Sequence, residues 1–496
     1  MQFNSVDFMV FFPIVLSVYF IVPPKTRKLW LLIASYYFYM SWNAGYAFLI
    51  GGSTVITYCG GLLMGKSLRG EQKKKKLIMV LCIAMNFGVL AVFKYANFTV
   101  ESLNFLLRAA HITPIRRRFD LLLPVGISFY TFQALGYIID VYREDVKAET
   151  NFLSYALFVS FFPQLVAGPI ERSKNLLLWI RNIEDVKLWD GKRVASGAIL
   201  MVWGFFMKMV ISDRISLLVD TVFNNYRMYG STELILAAIG FSIQIYCDFG
   251  GYSTIAIGAG KLMGCELMEN FNAPYFARSI RDFWGRWHIS LSTWFRDYLY
   301  IPLGGNRKGN VRKAINLMIV FLLSGLWHGA DWSFVIWGGI HGFYQVMADL
   351  LYNTKRKLTE KLAIKTNCLS WRLLQTGITY TLVVFAWVFF RSETIVDALR
   401  FVKRIFIRPT PWLLFNGGIY SLGLDRIQAN ILVFSVFLLV LADLVRYVKN
   451  QTPDMFLMEQ NIWFEWFVII GLVAMIFIYG EYGPDFDARQ FIYSQF

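Results

Sequence analysis

Apolar runs close to the length that crosses a bilayer recur from residue 7 to residue 480, and they leave few folds open. A single helical span needs about 20 mostly apolar residues. In hydrocarbon only helices and closed barrels satisfy every backbone polar group. A barrel would alternate apolar and polar residues in short segments, and this sequence does not. The chain is 56% hydrophobic with mean hydropathy +0.48, which few soluble domains approach. The expected class is therefore an all-α, polytopic integral membrane protein with about 11–13 membrane segments, some broken or re-entrant, in one transmembrane domain over residues 1–496. The first run, 7–22, has neither a basic leader nor an A-x-A site, so it reads as a retained span.

The net charge of +16 would raise nucleic-acid binding in a soluble protein. Here the basic residues sit in short loops between apolar runs, where the positive-inside rule and anionic lipid account for them. No nucleic-acid partner is expected. Lys25, Arg27 and Lys28 form one basic loop, and KSLRGEQKKKK at 66–76 forms another. They flank a hairpin of two spans, so they belong on one side, the cytoplasm, with the N-terminus outside. Arg116-Arg117-Arg118 is a third basic cluster. The five cysteines, Cys59, Cys82, Cys247, Cys265 and Cys368, are scattered without a CxxC or a neighbouring histidine, so neither a disulfide framework nor a metal site is expected.

Further runs mark spans near 29–42, from after a tight turn at Asn43-Ala44-Gly45 to about 64, and 77–92, with a weaker, interfacial one at 98–110. From residue 121 the pattern changes: LLLPVGISFYTFQALGYIIDVYR carries Pro124, Gly126, Ser128, Gln133 and Gly136 in an apolar stretch. Such breaks are tolerated at membrane depth where protein or a wet cavity covers them, so cavity lining is expected, against an ordinary Pro-kinked span. The run 153–168 ends in PQLVAGPIERSK, a polar turn that includes Gln164. Later spans are expected near 194–211, 234–257, 371–390, 431–447 and 464–479. Asp248 in the second of these must be either buried and paired or at a water-filled mouth.

One polar knot stands out in this oily chain, residues 281–342. It opens with RDFWGRWHISLSTWFRDYLYIPLGGNRKGN, passes through the apolar run 314–326, and closes with WHGADWSFVIWGGIHG. It holds three of the four histidines, His288, His328 and His341, among Asp282, Arg286, Arg296 and Asp297. An ionisable residue at membrane depth is a functional-site hypothesis by default. The alternative is a set of satisfied core histidines. No GxxxxGK[ST], HExxH or Ser-centred nucleophile elbow occurs, which leaves histidine chemistry. A neutral imidazole at His328 can serve as general base on a hydroxyl. Tryptophans around it would keep water from a reactive acyl donor. On one continuous helix His341, 13 residues on, would face away from His328. His288 falls where Arg281, Asp282 and Arg286 cluster at helical spacing. A proton relay in a transporter would use the same residue types, so the residues alone stop at a polar intramembrane site with a histidine base or relay.

SFYTFQALGYIIDVYR, FFPQLVAGPIER, DFWGRWHISLSTWFRDYLYIPLGGNRKG and SGLWHGADWSFVIWGGIHG together resemble the membrane-bound O-acyltransferases, and most of all the bacterial branch of alginate O-acetyltransferase membrane subunits. These motifs span 124–342, with 1–115 and 370–496 peripheral, and the chain end FIYSQF is similar to that branch as well. The resemblance implies a ring of membrane helices around a thin centre with a tunnel open to both faces. It implies that His328, in WHG, is the catalytic histidine and His288, in RWH, a second polar site residue. Lining candidates on this basis are Trp327, Asp282, Trp284, Arg286, Trp287, Ser324, Asn306, Gln133, Gln164 and Asp248. The implied reaction moves an acyl group, acetyl from acetyl-CoA, from the cytoplasm outward to a hydroxyl of a secreted or cell-surface polysaccharide, with no bound cofactor. The implied setting is the bacterial inner membrane. The chain contains no extracytoplasmic transferase domain, so an SGNH-type partner is implied besides the polysaccharide and membrane lipid. The alternatives are D-alanyl transfer to teichoic acid, which shares the WH and WHG motifs, and a transporter or flippase. The missing repeat halves count against the last.

Overall fold

A computed structural model describes residues 1–66, 71–116, 119, 123–166, 168–481 and 492. Part of the 66–76 basic block, Arg117, Arg118 and the chain end other than Ile492 lie outside the described residues. The described residues form helices and no strand. Eight helices are long and apolar enough to cross a membrane among these residues. One shorter apolar helix, Val6–Ile21, adds to these among the described residues, against the 11–13 membrane segments expected.

The helix boundaries follow local chemistry. Ser5 accepts from Phe8 N at 3.2 Å and starts Val6–Ile21. Asp425 and Gln428 close a reciprocal capping box at Arg426–Lys449. These side chains satisfy N–H groups that a first turn leaves orphaned. Two expectations need correction. The 77–92 and 98–110 segments are not separate: Gln72–Leu90, a π-helical turn at Ala91–Tyr95 and Ala96–Ala109 form one continuous helix. Likewise, the span at 194–211 runs on through a π-helical stretch, Phe206–Ser212, to Asn224. A π-bulge absorbs an extra residue without ending the helix, so hydropathy, which dips there, reads as a break.

The chain packs as two compact units. The first comprises Met1–Gly197 and Ala256–Met268. In it Arg27 donates to Ile183 O, Lys28 to Arg181 O, and Arg181 pairs with Glu149 at 2.7 Å. Lys75 pairs with Glu144 at 2.7 Å. Arg27, Lys28 and Lys75, the residues of the two basic loops named here, thus bond to Ile183, Arg181 and Glu144 within this unit. The Ile127–Tyr142 helix starts beyond Pro124 and Gly126, so proline precedes the helix and does not kink it.

The second unit comprises Ala198–Ile255 and Glu269–Phe496. Its centre is a helical hairpin, Gly309–His328 and Trp332–Leu350. A Cβ on Gly325 would stand 2.2 Å from Phe334 O, and one on Gly338 would stand 2.2 Å from Phe321 O. The two backbones therefore touch where only glycine fits, the close approach that small residues allow between membrane helices.

Candidate active site

The hairpin decides how the histidines meet. The first helix ends at His328, Gly329 is extended, and Asp331 starts the return helix by accepting from Ser333 N at 2.7 Å. The continuous-helix geometry that would turn His341 away from His328 therefore does not apply. Both histidines pack edge-on to Trp337, at 5.0 and 5.1 Å between ring centroids. His328 is 2% exposed, and His288 and His341 are fully buried.

His288 approaches from another element. The Ile280–Arg286 helix stops before Trp287, and His288 caps the next helix, Ile289–Phe295, with φ 44°. It is therefore not on the helix of Arg281, Asp282 and Arg286, as the spacing suggested. A left-handed non-glycine residue costs about 1–2 kcal/mol and persists where its surroundings over-determine it. Asn270 is that surrounding. Its Oδ1 accepts from Ser290 N at 3.3 Å and Ser290 Oγ at 2.9 Å, and its carbonyl accepts from Ile289 N at 2.9 Å. Asn270 Nδ2 donates to Ser253 Oγ at 3.0 Å. Because a backbone N–H can only donate, the atom facing Ser290 N is the amide oxygen. His288 Nδ1 lies 3.1 Å from that same oxygen and so carries the proton in the neutral ring. The lone pair of neutral His288 is then on Nε2. The His288 and His328 rings stand 6.1 Å apart, with Trp327 5.9 Å from the first and 5.0 Å from the second. The sequence reading missed Asn270, one of two asparagines in the NFN run 16–18 residues before His288.

Two cavities border this cluster. The first, about 330 Å³, runs along one face of the Gly309–His328 helix: Lys313, Leu317, Phe321 and Ser324 line it at intervals of four, four and three. The next residue of that stripe, four on from Ser324, is His328. Arg281, Arg296 and Asn306 also line this cavity, with Trp284. Asp349 accepts from Arg281 and Lys313, at 2.6 Å each. Burial pushes the Asp349 carboxyl up, but these two cations outweigh it and hold the carboxyl below its usual range. The cavity is thus cationic at the Lys313 end and aromatic and apolar toward His328, about 22 Å away along the helix.

The second cavity, about 400 Å³, lies past the other end of the helix. Asp331, Ser333, Gln244, Asp220, Arg391 and Glu393 line it. Phe241, Phe334, Phe390 and Ile492 line it as well, and Phe390 packs 5.8 Å from the His328 ring.

The remaining sequence candidates fall in other places. Asp282 and Arg286 pair with each other at 2.7 Å. Trp287 is a core side chain stacked on Phe283 and tilted against Trp387. Gln133 and Gln164, in the first unit, bond to each other at 2.9 Å and both donate to Phe158 O. Asp248 is buried and paired. Its partner is Lys208 at 2.5 Å, which also meets Asp213 at 2.7 Å, and Ile492 N donates to its other oxygen at 2.8 Å.

Comparison with known proteins fits this geometry. Residues 143–387 match the family model of the membrane-bound O-acyltransferases. A probable alginate O-acetylase of Pseudomonas aeruginosa is 40% identical over 448 residues, 90% of this chain and 80% of that protein. A peptidoglycan O-acetyltransferase of Helicobacter pylori is 34% identical, over 81% of this chain and 79% of its own length. A teichoic acid D-alanyltransferase of Bacillus subtilis is 27% identical over 57% of this chain and 72% of its own.

Proposed function

Because this chain belongs to the membrane-bound O-acyltransferase family, we propose that it acetylates a hydroxyl for modification of a cell-surface polysaccharide, with His328 as general base. The protein is a multi-pass membrane O-acyltransferase. The observation that supports the residue assignment is the helix face Lys313–Leu317–Phe321–Ser324, which lines a cavity holding Arg281 and Arg296 and whose next position is His328. Phosphate groups pair with Arg and Lys, and a thin acyl-thioester arm suits the apolar inner part. Acetyl-CoA, a phosphorylated thioester, has both features. His328 would take the proton of an incoming hydroxyl as its oxygen attacks the thioester carbonyl. The carbon–sulfur bond then breaks, and the thiolate leaves toward the cationic end and takes up a proton. Relatives named for O-acetyl transfer align over most of this chain, whereas those named for D-alanyl transfer align over 57% and 48%. That difference favours acetyl over D-alanyl.

The orientation that goes with this reading follows the positive-inside rule: residues 25–28 and 66–76 are in the cytoplasm of a bacterial inner membrane and the N-terminus is outside. A Lys74→Cys variant should resist an impermeant thiol reagent in intact cells and react after permeabilisation, with the five native cysteines replaced. Labelling in intact cells would reverse the orientation.

Polysaccharide acetylation should also need a second, extracytoplasmic transferase of the SGNH type. Purified protein with acetyl-CoA should consume the donor slowly and leave polymer unmodified until that partner is added. Full acetylation of polymer by this chain alone would overturn the division of labour.

A further inference from the structure

We infer that the 400 Å³ cavity beyond His328 is a binding site for an uncharged hydroxyl acceptor, and that Gln244 positions that hydroxyl. This rests on the acyl-transfer reading above and names the acceptor chemistry at the same centre. Gln244 sits in mid-helix of Ser231–Leu262, is 7% exposed, and lines the cavity. Its side-chain oxygen is buried with no hydrogen-bond partner among the described residues. A buried amide oxygen without a donor costs about 1–3 kcal/mol, and a ligand O–H entering the cavity would supply that donor. Phe390, which lines the cavity, has its ring centroid 5.8 Å from that of His328, so the cavity and the proposed base lie on either side of one aromatic ring.

The charge of the lining selects the ligand class. Among the described residues, Asp220, Asp331 and Glu393 line the cavity together with one guanidinium, Arg391. That guanidinium is already held by Asp220 at 2.5 Å and by Asn224 at 3.3 Å. An acidic ring repels carboxylates and phosphates by like charge, a penalty strengthened away from water. It accepts hydrogen bonds from hydroxyls freely. The cavity therefore suits a neutral sugar hydroxyl or a serine side chain, and it rejects a uronate ring. The contrast with the cationic mouth at Arg281 and Lys313 gives the two ends of the Gly309–His328 helix opposite preferences.

The test uses the full-length protein in detergent with acetyl-CoA and two soluble acceptor probes, an uncharged methyl hexoside and the matching methyl uronate. Donor consumption without acceptor is measured alongside. The neutral glycoside should stimulate turnover and the uronate should not. Gln244→Leu should raise the KM for the glycoside about tenfold, the loss of one hydrogen bond to a hydroxyl, and leave the KM for acetyl-CoA where it is. Glu393→Gln should narrow the discrimination between the probes. If the uronate serves as well as the glycoside, or if Gln244→Leu shifts both KM values together or neither, the assignment fails while the acyl-transfer reading stands. If wild type consumes no donor in a His328-dependent manner, the acyl-transfer reading fails and the acceptor site falls with it.

Discussion

His328→Ala abolishes acetyl transfer while the protein still folds and inserts. General-base assistance contributes about 10²–10⁴-fold in rate, so transfer should drop to the level of an empty membrane in most assays. The expectation of normal folding follows from what surrounds the ring. His328 is framed edge-on by Trp327 and Trp337, and its helix is fixed by the Gly325 and Gly338 backbone contacts, which the substitution leaves alone. His341→Ala is the matched control. It empties a similar volume next to the same Trp337 and removes the acceptor of the Trp284 indole N–H, at 3.2 Å. It should loosen Trp284 at the cavity wall and slow transfer far less. His288→Ala should fall between the two. The measurement is polymer acetyl content in a deletion strain carrying each variant, with membrane levels checked by blot. A His328→Ala protein at normal abundance that retains a tenth or more of wild-type acetylation would rule out this residue as the base.

Much of this arrangement is legible in the chain itself, because membrane helices must be long and apolar. The runs at 371–390, 431–447 and 464–479 became Leu369–Arg391, Arg426–Lys449 and Ile462–Tyr479 with only end shifts. The histidine-rich region stood out because charge at membrane depth is costly. What could not be read was which histidine meets which. That depends on a chain reversal at Gly329 and on a left-handed residue at His288, held by an asparagine 18 positions earlier. Asn270 has no periodic relation to the motif it supports. The amphipathic helix Ile395–Ile407 was also passed over, since it is half polar and too short to span. The acidic cavity is assembled from five separate segments, and its residues share no motif. Its single advance sign was Gln244, a polar side chain in the same apolar run as Asp248.

That run also contains the pairing the sequence left undecided. Lys208 was the missing half, a lone cation inside an otherwise apolar stretch, and it sits in the π-helical stretch Phe206–Ser212, where it meets both carboxylates. Lys208 and Asp248 are each 1% exposed and Asp213 is 4% exposed, so all three are cut off from water. Lys208 further lies 5.5 Å from the Tyr252 ring centroid. Replacing such a set by apolar residues of similar volume can be neutral, whereas removing one partner strands a buried charge at a cost of about 3–5 kcal/mol. Lys208→Met strands two carboxylates at once. It should sharply lower the yield of folded protein and the thermal midpoint in detergent, although Lys208 touches neither cavity. Lys208→Met combined with Asp213→Asn and Asp248→Asn removes both stranded charges and should recover most of that loss. Scanning fluorimetry on the three proteins decides it. A single Lys208→Met variant that melts with wild type would show that the cation does not stabilise the fold. Failure of the triple variant to recover would instead trace the loss to packing around the lysine stem, where Tyr252 and the π-helical stretch hold it.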